Sequence, residues 1–438
     1  MTENSSQFIK WFRSASPYIR VHKGKTFIIH VDDDVINAGS FTDLVHDLVL
    51  LNSLEIRLVI VYSTRNSIEL RLKNNEASLQ YHNDIRVTDV KTLETVKDAA
   101  GKLRIEIESA LSMGLGNTPM SNAEVITSSG NYVRAKPMGV VEGVDYLYTG
   151  TVRSVEVEAI NNKLEANEIV LIPPLGYSVT GETFNLESKE LALKIATELN
   201  ADKLIYLTDI PGLTDENGKL VQQITALEVE AYLKKIQGAQ NSIENYLLHA
   251  VDACAGGVSR VHVIDRSIDG ALVQELFSRD GVGTMISGTS YDDLRQASVD
   301  DISGILELIA PMEKQGVLVE RSREKLELEI GNFTVMLRDD VIIGCASLYI
   351  FPDEKAAEVA CMVIHPDYHN SCRGEELYSI LENNARQAEV VKIFVLTTQA
   401  THWFFELGFQ EAKIDDLPVE KINLYNFTRN SKILIKEV

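Results

Sequence analysis

Short β-branched runs alternate with helical apolar periods along most of the chain. Residues 5–20 cluster Phe8, Ile9, Trp11 and Phe12 on one side, which predicts a short amphipathic helix ahead of Pro17. From Lys25 onward the pattern predicts strands at Thr26–Val31, Leu58–Tyr62, Glu168–Ile172, Lys203–Thr208 and Val261–Ile264. Helices are predicted at Phe41–Ser53, Val87–Met113, Ser188–Leu199 and Asp269–Phe277. This alternation implies an α/β unit with a mostly parallel sheet covered on both faces. Near Ile286–Leu294 the chain turns into the small, polar GTSYDDLRQASVDD, which predicts a linker. Beyond it the order changes: a helix at Val299–Glu313, then strands at Thr334–Leu337, Ile342–Tyr349 and Ala357–Ile364. A helix at Glu375–Glu389, a strand at Lys392–Leu396, a short helix at His402–Leu407 and a closing strand at Ser431–Ile435 follow. Two domains meeting around residue 292 are expected.

Composition narrows the class. At 438 residues the chain exceeds one core, and 45% hydrophobic with 24% charged residues is ordinary for a folded protein. The four cysteines, Cys254, Cys345, Cys361 and Cys372, form neither a CxxC pair nor a disulfide framework, so free thiols in a reducing compartment and no metal site are expected. The opening MTENSSQFIKWFRSASPYIR lacks the apolar core of a signal peptide, and the longest apolar runs have strand length. A cytoplasmic protein without a membrane segment is the expectation. The formal charge of -22 opposes non-specific nucleic-acid binding.

The segment from Glu358 to Leu377 carries chemistry. An apolar strand runs into His365-Pro-Asp-Tyr368, a short polar loop, and a helix with Leu377, Ile380, Leu381 and Ala388 on its apolar side. A helix N-terminus after such a loop presents unpaired N–H groups and a positive dipole end, which suit a pyrophosphate. The loop resembles that of the GNAT acetyltransferases, Gln/Arg-x-x-Gly-x-Gly/Ala, with His369, Cys372 and Gly374 at the patterned positions; the first two depart from it. SVDDISGILELI, RSREKLELEI, the HPDY…SCRGEEL stretch, KIFVLTT, HWFFELGF and LYNFTRNSKIL occur in order, and together they resemble the bipartite bacterial N-acetylglutamate synthases over nearly the whole chain.

The resemblance implies a GNAT fold over 295–438 and acetyl-CoA as cosubstrate, with L-glutamate as acceptor and no metal. Both substrates are anions, so local donors must hold them against the overall field. Glu358 stands where the family places the general base that takes the proton from the acceptor ammonium. Amides around Cys361, Met362 and Val363 would hold the pantetheine arm and stabilise the oxyanion. The loop from His369 through Ser371, Cys372, Arg373 and Gly374 to Glu375 would hold the pyrophosphate, with Arg373 offsetting the nearby carboxylates. Thr397 is at the family position of the acid that protonates the CoA thiolate, and Tyr425 is its rival. Arg429-Asn-Ser431 matches the glutamate-binding motif, joined by Lys421 where the family often has arginine.

Residues 25–290, after an arm at 1–24, resemble the amino-acid kinases, closest to acetylglutamate kinase. The clearest part is LIPPLGYSVTGETFNLESKELALKIATELNADKLIYLTDIPGLTDENGK. An α/β/α sandwich follows as the expected fold. A working kinase of this type carries Lys-x-Gly-Gly where this chain has His30-Val-Asp-Asp-Asp34, so carboxylates stand where phosphates would approach and kinase activity is not expected. Tyr18, His262, Glu275 and Gly281 match positions that bind an L-arginine effector in arginine-inhibited relatives. The family also implies a homo-oligomer, a hexamer, whose interlaced N-terminal helices would bury Phe8, Trp11 and Phe12. Three other readings stay open: a non-catalytic arginine sensor with a decayed acetyltransferase domain, an acetyltransferase for another amine, and, last, a functional kinase.

Overall fold

The computed structural model describes residues 3–36, 41–74, 80–83, 85–113, 125–215, 218–235, 243–278, 281–288, 293–338, 341–368, 373–424 and 431–438. The chain divides into two compact units, Met1–Thr289 and Ser290–Val438. In the first, the sheet strands are β1 (Thr26–Val31), β2 (Arg57–Tyr62), β3 (Thr127–Ser128), β4 (Ile169–Ile172), β5 (Lys203–Thr208), β6 (Gln223–Thr225), β7 (Arg260–Asp265) and β8 (Thr284–Ser287). Their order is β6-β8-β7-β5-β1-β2-β4-β3, parallel except where β7 meets β8. Successive residues of a strand face opposite sides, and both sides are apolar here. Phe27, Ile29, Leu58 and Ile60 enter one core; Ile28, Val59, Val61 and Leu204 enter the other.

Helices cover both faces. On the Phe27 side pack α1 (Glu3–His22), α2 (Phe41–Ser53) and Val90–Ser112, and on the Ile28 side Ser188–Glu198 and Glu244–Ala255. The α/β/α sandwich expected from the sequence is therefore present. Its first helix continues through Pro17 rather than ending before it. Phe12 and Trp11 are exposed on it; the side chain of Phe8 lies outside the described residues. The helix expected from Val87 starts at Val90, because the Asp89 carboxylate accepts from the Thr92 N–H at 2.7 Å and fixes the first turn. A four-stranded sheet between residues 133 and 185 was not foreseen; its strands are short and half-exposed, so their alternation is weak.

The linker expected near Ile286–Leu294 is shorter than the polar composition suggested. Strand β8 runs to Ser287 and a new strand, Asp293–Gln296, already pairs with Phe333–Arg338, leaving 289–292 outside the described residues. In the second unit the strands are β9 (Asp293–Gln296), β10 (Phe333–Arg338), β11 (Val341–Phe351), β12 (Ala356–Ile364), β13 (Lys392–Thr397), β14 (Gln410–Glu411) and β15 (Lys432–Glu437). The order is β9-β10-β11-β12-β13-β15-β14, antiparallel except for β12 with β13. Helix Ile302–Lys314 packs on the face carrying Val335, Cys345 and Val363. Helix Arg373–Gln387 packs on the other, against Met336, Leu348 and Val359. Among the described residues no helix is long and apolar enough to cross a membrane, and no cluster of His, Cys, Asp or Glu is arranged to hold a metal.

Candidate active site

Two irregularities in β12 build the site. Opposite Cys345–Ser347 the strand carries an extra residue, and Cys361 adopts φ 51°, a left-handed conformation that a side chain rarely takes. Strands β12 and β13 pair only over Ala356–Glu358 with Lys392–Phe394. Beyond that they part, and the parted ends line a cavity of about 810 Å³. Cys361, Met362 and Val363 lie on one wall, with Thr397 and Ala400 on the other. Strand edges that have lost their partner leave N–H groups for a ligand.

Glu358 is the last residue of the paired stretch and is 4% exposed. Lys421, on helix Val419–Leu424, places Nζ 2.5 Å from its Oε2. The ammonium also sits 5.8 Å from the Tyr349 ring centroid. Tyr349, cross-strand from Glu358, donates its phenol to Glu329 at 2.6 Å; burial first, then that hydrogen bond, push its pKa up. Arg321 borders the same space. Burial works against its charge, but Cys361, Tyr349 and Glu329 more than offset this and raise its pKa. Ser431 lines the cavity as well. The structure thus gathers Glu358, Cys361, Met362, Val363, Thr397, Lys421 and Ser431 around one space. Tyr425, Arg429, His369, Ser371 and Cys372 lie outside the described residues.

Thr397 closes β13. Its Oγ1 accepts the N–H of Ala400 at 3.0 Å and of Gln399 at 3.4 Å, which occupies the oxygen's lone pairs and leaves its proton for donation. At the start of helix Arg373–Gln387, Gly374 backs onto the Trp403 ring, where an added Cβ would stand 2.9 Å from a ring carbon. Glu375 accepts the Trp403 indole N–H at 3.2 Å, which turns that carboxylate toward Trp403. The guanidinium groups of Arg373 and Arg338 each lie 5.5 Å from the Tyr368 ring centroid, a cationic cluster at a helix N-terminus.

Arg321 and Arg338 were missed by sequence reasoning. Arg321 opens the RSREKLELEI segment, so a basic residue in an acidic chain was the available signal. Nothing local marked Arg338.

In the first unit, His262 and Glu275 are brought together. Glu275 accepts from His262 Nδ1 at 2.7 Å and from the N–H groups of Val282 and Gly283 at 2.7 and 2.9 Å. Burial opposes its charge, but these donors hold its pKa below the usual carboxylate range. Burial and Lys203 lower His262 to about 4, so it is neutral and its Nε2 faces Lys203 Nζ at 3.2 Å. Gly281, at φ 60°, lies so close to the Glu275 carboxylate that a Cβ there would collide with it. Tyr18 packs toward His22, whose Nε2 bonds the carbonyl of Leu276 at 2.8 Å, so α1 meets the helix that carries Glu275.

The three carboxylates after β1 do not act alike. Asp33 accepts the N–H groups of Asn66 and Ser67, and Asp34 pairs with Arg266 at 2.7 Å, so only Asp32 and Asp34 border the cavity there. The expectation of three carboxylates facing a phosphate is corrected accordingly. His30 is fully buried, bonds Ser188 at 3.0 Å, and burial lowers it to about 3, so it supplies no cation.

A kinase-type parallel unit followed by a sheet split beside a buried carboxylate defines a two-domain acyltransferase. The Amino acid kinase family matches residues 25–265 and the Acetyltransferase (GNAT) family matches 302–409. Curated amino-acid acetyltransferases from Serratia proteamaculans and Yersinia pseudotuberculosis are 46% identical over the full length of both chains. The crystal structure of N-acetylglutamate synthase from Neisseria gonorrhoeae, complexed with coenzyme A and L-arginine, superposes with a TM-score of 0.88 at 34% identity, covering 98% of this chain and 99% of that one. A structure of that enzyme with coenzyme A and N-acetyl-glutamate matches at 35% identity with a TM-score of 0.64, again over 98% and 99%. The chain belongs to the N-acetylglutamate synthase family of amino-acid acetyltransferases.

Proposed function

We propose that the chain transfers the acetyl group of acetyl-CoA to the α-amine of L-glutamate, releasing N-acetyl-L-glutamate and CoA. The observation that carries this reading is the buried Glu358 carboxylate beside the split of β12 and β13, with cations of Arg321 and Lys421 on the same cavity. A dicarboxylate acceptor needs two cationic anchors, and a base needs a carboxylate within reach of the amine. Relatives bound to coenzyme A and to N-acetyl-glutamate support the same substrates.

Glu358 takes a proton from the acceptor ammonium, directly or through water. The amine nitrogen then forms a bond to the thioester carbon while the C–S bond breaks. Amides of Cys361, Met362 and Val363 face the carbonyl oxygen and stabilise its developing charge. Thr397, whose proton is free to donate, gives it to the leaving thiolate and takes up the second proton that the nitrogen sheds on becoming an amide; Tyr425 remains its rival. Lys421, Arg321, Ser431 and Arg429 hold the acceptor carboxylates. The helix start at Arg373 and Gly374, with Arg338, and the preceding His369, Ser371 and Cys372 hold the pyrophosphate, while Glu375 is turned to Trp403.

The N-terminal unit binds L-arginine at Tyr18, His262, Glu275 and Gly281 and lowers the activity when it does. Glu275 uses three hydrogen bonds to protein donors and keeps its charge, so one oxygen lone pair remains for a guanidinium. This unit has no kinase activity, because His30 is neutral where a kinase of this kind carries lysine. The domains span 25–290 and 295–438 after an arm at 1–24, and the active form is a cytoplasmic hexamer in which Trp11 and Phe12 are covered by neighbours. Assaying CoA release from acetyl-CoA with glutamate, with and without arginine, tests the activity and its control together. Absence of turnover in a folded preparation favours the sensor reading, and faster turnover with a different amine identifies another acceptor.

A further inference from the structure

The thiols of Cys345 and Cys361 take no part in acetyl transfer as proposed, yet they are built into contact. Cys345 lies on β11 and Cys361 on β12, at the irregularity between the two strands, and both enter the core beneath helix Ile302–Lys314. The Cys345 Sγ stands 3.7 Å from the Cys361 carbonyl oxygen, and its S–H also donates to the Cys361 sulfur. Cys361 lines the acetyl-transfer cavity and is 5% exposed, whereas Cys345 is fully buried. One residue of the pair borders the cavity; the other is closed to solvent and touches the first.

The two thiols are also unequal in acidity. The hydrogen bond from Cys345 holds Cys361 below the usual thiol range, against burial and with help from the Arg321 guanidinium. The same contact, joined by burial, pushes Cys345 far up. The thiolate is the form that oxidants attack. Half-buried Cys254, raised to about 11 by burial, is the less reactive thiol.

We propose that Cys361 and Cys345 form a redox switch on the acetyl-transfer site. An oxidant of the peroxide class enters the cavity and converts Cys361 to a sulfenic acid, and Cys345 resolves it to a disulfide that stops turnover. The loss of turnover rests on the acetyl-transfer reading; the bond itself does not. The Cys361 sulfur attacks one peroxide oxygen, the O–O bond breaks, and the departing hydroxide leaves as water with the Cys361 proton. The Cys345 sulfur then attacks the Cys361 sulfur, the S–O bond breaks, and the second hydroxide leaves as water with the Cys345 proton. The thiols have lost two electrons and the peroxide has gained them. Drawing the sulfurs from contact to bonding distance pulls on Cys361, the left-handed residue of β12. The N–H groups of Cys361, Met362 and Val363, which face the thioester in the proposed mechanism, turn with it.

The test treats the full-length chain with hydrogen peroxide, blocks the remaining thiols, and follows peptide masses and CoA release together. Tryptic cleavage at Lys355 separates Cys345 from Cys361, so the bond appears as a linked peptide pair lighter by two hydrogens. Cys372 shares the Cys361 peptide, and fragmentation assigns the linked sulfur. The linked fraction and the lost turnover should rise together, to a fall of at least about tenfold, and dithiothreitol should reverse both. Acetyl-CoA bound beforehand should slow the linkage. Cys345→Ala should keep its basal turnover, form no linked pair, and on oxidation pass to a sulfinic acid that dithiothreitol does not rescue. Should that variant fail to fold, the linked masses and the protection by acetyl-CoA decide the matter on the unsubstituted chain. No Cys345–Cys361 link, a link through Cys254 or Cys372 in its place, full linkage with unchanged turnover, or a Cys345→Ala protein inactivated and rescued like the unsubstituted chain would overturn the proposal. A chain that forms the bond but shows no turnover before peroxide contradicts the acetyl-transfer reading alone.

Discussion

The two cavities both bring carboxylates and cations together, but on different backbones. In the C-terminal unit a buried carboxylate and a cation stand in contact, Glu358 with Lys421 at 2.5 Å, beside a strand whose partner has been removed. In the N-terminal unit a cavity at the ends of a regular parallel sheet is lined by Asp32, Asp34, Asp209, Arg86, Lys189 and Arg266, with Asp34 paired to Arg266. In the proposed mechanism an incoming acceptor carboxylate draws Lys421 away and leaves Glu358 to act as the base. The irregular backbone belongs to the unit that does chemistry: Cys361 at φ 51° and the bulge against Cys345–Ser347 open the groove.

The largest effect expected is from Glu358→Gln, which keeps the shape of the site and removes the proposed base. Turnover should fall by roughly 10²- to 10⁴-fold, read as kcat with saturating substrates. A variant with near-native kcat would erase the contrast between the units. Next, Arg321→Ala should raise KM for glutamate by about 10- to 100-fold, the loss of a charge-assisted contact to a carboxylate. KM for acetyl-CoA should move far less, and an equal rise in both would assign Arg321 to the fold instead.

Gly281→Ala forces a side chain into a left-handed position against the Glu275 carboxylate. It should weaken arginine inhibition by about tenfold and cost on the order of 1–3 kcal/mol of stability, seen in inhibition curves and thermal unfolding. Unaltered inhibition would place the effector elsewhere.

The smallest effect concerns the entry into the second unit. The Arg295 hydrogen bond, with the donors of Ser298, holds Asp301 down at about 2 from its usual 3.8. A carboxylate with a depressed folded pKa stabilises the fold above its unfolded pKa, and that contribution is lost as pH falls through about 2. Asp301→Asn should therefore cost roughly 1–2 kcal/mol near neutrality, with the difference from the unsubstituted chain shrinking between pH 4 and pH 2. A constant difference across that range would mean that geometry, not charge, is at stake.

Much of the architecture was legible because its signals are local. The strands around Ile29, Ile60 and Ile205 are apolar on both faces, whereas the Asp89 cap, which the pattern did not single out, moves the start of its helix from Val87 to Val90. Glu358, the proposed base, was singled out only through its place in a recognisable segment. What escaped depends on register and distance. The bulge at Cys361 is a mismatch between two strands that neither sequence records alone. The Glu358–Lys421 contact joins a strand to a distant helix, and Arg321 reaches the cavity from a loop before its helix. The fate of the three aspartates after β1 was likewise hidden, since Arg266 and the N–H groups of Asn66 and Ser67 come from elsewhere in the chain.

The most direct test of the central claim is steady-state release of CoA thiol from acetyl-CoA with L-glutamate as sole acceptor. Saturable, glutamate-dependent release that collapses in the Glu358→Gln protein is the predicted result. Folded protein that releases no thiol in response to glutamate, or a Glu358→Gln protein as fast as the unsubstituted chain, would contradict it.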